Sequence, residues 1–377
     1  MVIKVKIIKD IKRFDYILII FLLLLCGLGA LFVYSASNYV ALKDYDDRYY
    51  FVKKQLIGYF IGFSAFLFFS LINVEKLKKV ALPFFCVSIL LLILVLTPLG
   101  KEAYGAKRWI GIGGLTIQPS ELARLAFVIF SASYFSEDMG RVKSFRGMLP
   151  VLLAGAITCV LIIAEPNMSV TICMGALMMV ILFISGVKIK HLALMLLPVL
   201  IAIPLLIVIE PYRLKRLMAF LDPWASPRGE GYQLIQSLYG LGAGGMFGVG
   251  LFNSTQKLLF LPFSESDFIL SIIGEETGFF GIVILFLICA VIIWRCINIA
   301  VNSKSFFTYL LCMGIAALFT IQIVVNALVV TGSIPPTGIP FPLVSSGNTQ
   351  ILTFMSAFGI VNSVHKNTQL TKIKAFA

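Results

Sequence analysis

Residues 261–270, LPFSESDFIL, place two acids, Glu265 and Asp267, just before a long apolar run, SIIGEETGFFGIVILFLICAVII. That run carries two more acids, Glu275 and Glu276. Acids are costly in lipid and must face protein or water there. Asp267 has two readings. In one, Ser264 or Ser266 caps the helix start and Asp267 sits in its first turn, stabilised as an anion. In the other it faces an outward cavity and serves as a general base. Glu275 and Glu276 lie ~12–14 Å further along the helix, at ~1.5 Å per residue. Neighbouring helical residues point about 100° apart, so the two cannot act as one dyad. Gly274, Gly278 and Gly281 let another helix come close. The reading for this pair is structural or ion-pairing.

Two long connections carry cations. The first, PLGKEAYGAKRWIGIGGLT (98–116), contains Lys107, Arg108 and Trp109. These serve either as interface anchors and head-group contacts or as part of a site. The residues that follow, IQPSELARLAFVIF, put Pro119 and Glu121 in a first helical turn and Arg124 three residues on, on the same face. That Glu–Arg pair either neutralises itself structurally or lines a polar cavity. In the second, YRLKRLMAFL sets Arg213 and Arg216 on one helical face and Leu214, Leu217, Met218 and Leu221 on the other. This pattern suits a helix lying in the membrane surface. Eight glycines follow between 229 and 250. GLGAGG (240–245) has the spacing of a dinucleotide loop, but no strand precedes it, so it reads as close packing and backbone bends. A re-entrant or interfacial hairpin fits this stretch. The charge-free TGSIPPTGIPFPLVSSGN, with prolines 335, 336, 340 and 342, is stiff and bent enough to wall a site. Glu165-Pro166-Asn167 marks another outer turn.

The elements that must position these residues are transmembrane helices. The chain has 377 residues, 59% hydrophobic and 13% charged, with mean hydropathy +0.99; soluble chains carry about 25% charge. Apolar runs recur at 17–37, 52–72, 80–97, 117–136, 149–164, 167–186, 190–209, 268–293, 306–330 and 343–364. The expectation is an all-α polytopic membrane protein of about ten spans. It forms one domain over 1–377, with a large extracytoplasmic loop at 210–266 between helices 7 and 8. The 149–164 run is near the lower length limit for crossing. Placed on alternate sides, 18 of the 31 Lys and Arg fall with the termini and 12 opposite. That asymmetry puts both termini in the cytoplasm. The first run, after Lys4, Lys6, Lys9, Lys12 and Arg13, resembles a signal peptide, but its length favours an uncleaved span. The net charge of +13 is spread over juxtamembrane loops and suits lipid head groups, not nucleic acid. Seven cysteines form no CxxC and imply no disulfide framework; His191 and His365 are too far apart for a His-built metal site.

GAKRWIGIGGLTIQPSELARLAF, GEGYQLIQSLYGLGAGGMFGVGLFNSTQKL, LPFSESDFILSIIGEETGFFG and TGIPFPLVSSG, in this order, resemble the SEDS family (shape, elongation, division and sporulation), nearest its division and sporulation branch. The resemblance implies a peptidoglycan glycosyltransferase of the bacterial plasma membrane. It would join the 4-hydroxyl of one lipid II sugar to the anomeric carbon of another, with inversion. It implies a class B penicillin-binding protein as partner. Asp267 matches the family's acid that takes the hydroxyl proton, and Glu121 its QPSE glutamate. Lys107 and Arg108, then Arg213, Lys215 and Arg216, are the cations for the substrate diphosphate, where charge develops; Arg124, beside Glu121, counts among the substrate-binding residues. A divalent cation, magnesium or manganese, fits there too, with no ligand set named by the sequence. The chain departs from the family at Phe263 and Glu265, which replace the Glu and His of LPEAHTDF. It departs again at Leu259, at Asn167 of PNMSV, and at Ser345-Ser346-Gly347-Asn348. Glu265 is the acid positioned to stand in for the lost ones. The departures keep two alternatives open: a lipid II flippase, and a non-catalytic scaffold that activates a transpeptidase.

Overall fold

The computed structural model describes residues 13–103, 106–112 and 115–376. Lys4, Lys6, Lys9 and Lys12 of the basic tail lie outside the described residues. Every apolar run is helical: α1 (Tyr16–Tyr45), α2 (Tyr50–Leu71), α3 (Glu75–Leu96), α4 (Pro119–Glu137), α5 (Phe145–Ala164), α6 (Met168–Ile184), α7 (Ile189–Ile209), α10 (Ile269–Val301), α11 (Phe306–Val330) and α12 (Asn348–Phe376). Between α7 and α10 lie two further helices, α8 (Pro211–Leu221) and α9 (Tyr232–Gly244). Among the described residues six helices, α1, α2, α3, α5, α10 and α11, are long and apolar enough to cross a membrane.

The short run at 149–164 is longer as a helix than as an apolar pattern. Ser144 accepts from the Gly147 amide and starts α5 at Phe145, giving 20 residues. Asp15 and Asn167 cap α1 and α6 in the same way. Pro119 opens α4, where its missing N–H costs nothing. Buried residues cover almost every turn of α4, so it is the centre of the bundle. α12 runs along α2, helped by small residues: Gly62 lies against Ile351 and Met355, and Gly359 against the Phe66 main chain.

The 98–116 connection is not an irregular loop. It folds as a small antiparallel sheet, β1 (Gly100–Ala103), β2 (Ala106–Ile112) and β3 (Leu115–Ile117), in the order β1-β2-β3. Lys101 pairs with Trp109 but Glu102 with Lys107, so Arg108 is the extra residue of a bulge.

The 210–266 segment contains α8, a short 3₁₀ turn at Pro223–Ala225 and α9, then turns up to Phe268. Met218 and Leu221 on the apolar side of α8 are exposed. The glycines of GLGAGG end α9. Gly244 sits directly against the Gly274 carbonyl, so no side chain fits there.

The α10 helix is broken at Gly278 (φ 66°, ψ −167°). The freed backbone groups pair with the glycine-rich turn. Val249 and Gly250 donate to the Glu275 and Glu276 carbonyls at 2.9 and 3.1 Å. Phe279 and Phe280 donate to Gly245 and Met246 at 2.9 and 3.2 Å. A kink in a span is stable when its backbone groups find such partners. Gly278→Ala is therefore expected to destabilise strongly. Its backbone conformation is essentially glycine-only, worth ~1–3 kcal/mol, and a Cβ would collide with the Met246 and Gly248 main chains. Thermal melts in detergent would test this beside Gly175→Ala, which meets no atom within 4 Å and should be neutral.

Candidate functional site

Asp267 lies at the mouth of α10, two residues before the first helical residue. The capping reading is corrected by the geometry. Phe268 is the N-cap and makes no side-chain capping bond. Ser264 donates to the Ala36 carbonyl at 3.1 Å, and Ser266 to the Phe263 carbonyl at 3.4 Å. The Asp267 main chain is instead held by Asn326 of α11. Its Nδ2 donates to the Asp267 carbonyl at 2.8 Å and to the Ile339 carbonyl at 2.7 Å. This ties the mouth of α10 to the proline-rich connection 331–347. Ser345 Oγ donates to the Ser266 carbonyl at 2.6 Å, and the Ser346 amide to the Glu265 carbonyl at 2.9 Å. Gly338, at φ +66°, lies over the carboxylate: a Cβ there would stand 3.2 Å from Asp267 Oδ2. Glycine is needed both for the backbone conformation and for the space.

Burial and the neighbouring Glu265 push the Asp267 carboxyl up to about 6, against the pull of Arg216 and Arg108. Burial also raises Glu265. The bulge aims Arg108 from β2: Nε donates to the Glu165 carbonyl at 3.3 Å and Nη2 to the Pro166 carbonyl. Arg216 of α8 donates from Nη1 to the Pro336 carbonyl at 3.2 Å. Two arginines and two acids from three separate elements (β2, α8 and the segment before α10) thus meet at the mouth of the bundle. Such an arrangement can take a proton on Asp267 and hold an anion on the arginines.

The other sequence candidates are placed elsewhere. Lys107 is exposed on the sheet, and Arg213 is half-buried one turn before Arg216. Glu121 and Arg124 form an ion pair inside the bundle, 4% and 1% exposed, and the Arg124 Nε and Nη1 atoms have no hydrogen-bond partner. That pair is enclosed at the centre of the fold.

Glu275 and Glu276 find their partners in a loop. Glu275 accepts from the Thr255 amide (2.9 Å), Thr255 Oγ1 (2.7 Å), the Gln256 amide (3.3 Å) and Ser254 Oγ. Glu276 accepts from Lys257 Nζ at 2.9 Å and from Ser35 Oγ of α1 at 2.5 Å. Sequence reasoning counted Lys257 only among the outer cations. Its signal was a lone lysine ahead of two acids that lipid would not tolerate unpaired. Asn326 and Glu165 were also missed as site residues. For Glu165 the signal was an acid in a turn between two apolar runs.

The fold and site define a multi-pass membrane protein with two acids set against two arginines at one end of its bundle. The chain belongs to the FtsW/RodA/SpoVE family of cell cycle proteins, whose model matches residues 16–370. It is 36% identical over 354 residues to stage V sporulation protein E of Bacillus subtilis, covering 93% of this chain and 97% of that one. It is 36% identical over 368 residues to the probable peptidoglycan glycosyltransferase FtsW of Trichlorobacter lovleyi, covering 96% of each. Among solved structures it is similar to a chain from work on "structural coordination of polymerization and crosslinking by a peptidoglycan synthase complex". There the TM-score is 0.79 at 26% identity, over 94% of this chain and 98% of that one. The rod shape determining protein RodA of Thermus thermophilus shares the fold, with a TM-score of 0.69 at 24% identity, over 94% of this chain and 97% of that one.

Proposed function

We propose that this peptidoglycan glycosyltransferase polymerises lipid II at the outer face of the bacterial plasma membrane, in division or wall growth. The observation that carries the reading is the half-buried Asp267, with its carboxyl raised to about 6, facing Arg108 and Arg216 at the bundle mouth. Asp267 takes the proton of the attacking sugar 4-hydroxyl. The new bond forms to the anomeric carbon as its bond to the diphosphate breaks, and the electron pair leaves on the diphosphate with inversion. Arg108 and Arg216 stabilise that departing charge. No group of three His, Cys, Asp or Glu gathers here among the described residues, so a magnesium or manganese ion would take Glu265 as its protein carboxylate and its other ligands from phosphate and water, leaving Asp267 free as the base.

In this reading all ten long helices cross the membrane, both termini are cytoplasmic, and 210–266 lies outside. The partner is a class B penicillin-binding protein. The likeness to a chain of a complex that couples polymerization to crosslinking supports that pairing. A flippase would need charged groups free to line a path. Glu121, Arg124, Glu275 and Glu276 are instead committed to buried partners.

The test is glycan length on a gel, from purified protein, lipid II and its co-purified transpeptidase. Long strands are the expected result. No polymer with partner and divalent cation supplied would overturn the reading, and lipid II crossing vesicles unpolymerised would replace it with transport.

The acid limb of the rate profile should follow Asp267, with activity lost as pH falls through about 6. Glu265→Gln removes a charge that raises Asp267, so the limb moves to lower pH. Arg216→Gln removes one that lowers it, so the limb moves up. Initial rates measured across this range check both directions, and an unmoved limb in both variants would take the base away from Asp267.

A further inference from the structure

Glu165 ends α5 and is fully enclosed, at 0% exposure. Neither of its carboxyl oxygens has a hydrogen-bond partner. Yet its main-chain oxygen and that of Pro166 both receive the Arg108 guanidinium. The arginine therefore grips the backbone of the turn rather than its acid. An ionised carboxylate held there would have neither water nor a hydrogen bond, which disfavours the charged form. Burial accordingly drives the carboxyl up to about 8, against the pull of Arg108. Arg108 is the charged group that faces it. The elements packed on α5 add little: α6 carries no charged residue, α4 offers Glu121 and Arg124 already paired with each other and Glu137 paired with Arg141, and that last pair lies at the far end with the charges of α3 and the rest of the 139–143 turn.

We propose that Glu165 is a positioning residue that works as a neutral acid, its turn presenting Arg108 to the catalytic mouth through main-chain carbonyls rather than through an ion pair with the turn's own acid. This rests on the glycosyltransferase reading, in which the same Arg108 acts on Asp267 and on the departing diphosphate. Ionised, Glu165 pairs with Arg108 and draws its charge away from that mouth. The device makes the enzyme fail on the alkaline side by losing a cation rather than a base.

The experiment compares wild type with Glu165→Gln, purified with the transpeptidase and given lipid II. Gln reproduces the shape of a neutral carboxyl, so its rate near neutral pH should match wild type within ~2-fold. Wild-type rate should fall as pH rises through about 8, and the Gln variant should hold. A folded Gln variant that is inactive at neutral pH, or one whose alkaline limb overlays wild type, overturns the proposal. Melting temperature against pH gives a readout independent of activity. The folded state keeps a proton that the unfolded state releases, so wild-type stability falls as pH rises from the ordinary carboxylate range to about 8. The melting gap in favour of the Gln variant should widen over that window. Parallel melting curves overturn the neutral acid even if polymerisation itself proves absent.

Discussion

Asp267→Asn is expected to stop glycan synthesis in a protein that still folds and inserts. A positioned base contributes ~10²–10⁴-fold, and Asn keeps the shape while losing the proton site. The main-chain bond from Asn326 and the approach of Gly338 do not depend on the carboxylate charge. The sign of the stability change is also fixed. The folded state raises this carboxyl, so at neutral pH its ionised form works against folding. The Asn variant should melt no lower than wild type. A gel lane of polymer beside a normal melt would move the base elsewhere. An empty lane with a collapsed melt would say nothing about chemistry, and Asp267→Ala would then be read in membranes, where insertion can be scored separately.

The largest stability effect should come from Lys257→Met. Lys257 is 5% exposed on its side chain and Glu276 is fully covered. Removing the cation leaves a buried carboxylate with Ser35 and the Ser254 amide, at 3.4 Å, as its remaining donors. Breaking one partner of such a pair costs ~3–5 kcal/mol, whereas replacing both is often close to neutral. The double variant Lys257→Met with Glu276→Gln should recover most of the loss. The readout is a double-mutant cycle of melts in detergent, and additive losses would show that the two side chains do not sense each other. Activity should follow stability here. The segment pinned by Glu275 and Glu276 is the one that leads into Asp267.

Much of this architecture is written in local pattern. The ten apolar runs lie on ten helices, six of them long and apolar enough to cross a membrane among the described residues, and the amphipathic YRLKRLMAFL became α8. Local pattern failed where the decisive partner lies far along the chain. The strands of 100–117 are short and glycine-rich, and become a sheet only by pairing with each other. The serines before Asp267 look like caps, yet Ser264 is spent on Ala36, 228 residues away. Glu275 and Glu276 signalled that they needed partners but not which. Glu165 reads as a turn residue, and only the position of Arg108 gives it a role. The candidate site divided in the same way. Asp267, Glu265, Arg108 and Arg216 meet, while Glu121 and Arg124, equally suggestive in sequence, neutralise each other in the interior.

The ion pair between Arg295 and Asp15, with His365 Nδ1 3.7 Å from the same carboxylate, sets a depth gauge for α10. A charged group that close to the start of α1 marks one edge of the hydrocarbon. Counting back from Arg295, a ~30 Å layer at ~1.5 Å per residue is used up after about 20 residues. That lands on Glu275 and Glu276 rather than on Asp267. On that count the two glutamates would stand level with the lipid head groups, and the first helical turn, from Ile269 to Ile273, would project beyond the oil. Under the proposed function, a sugar hydroxyl carried on a lipid would meet Asp267 without its polar part ever entering the hydrocarbon.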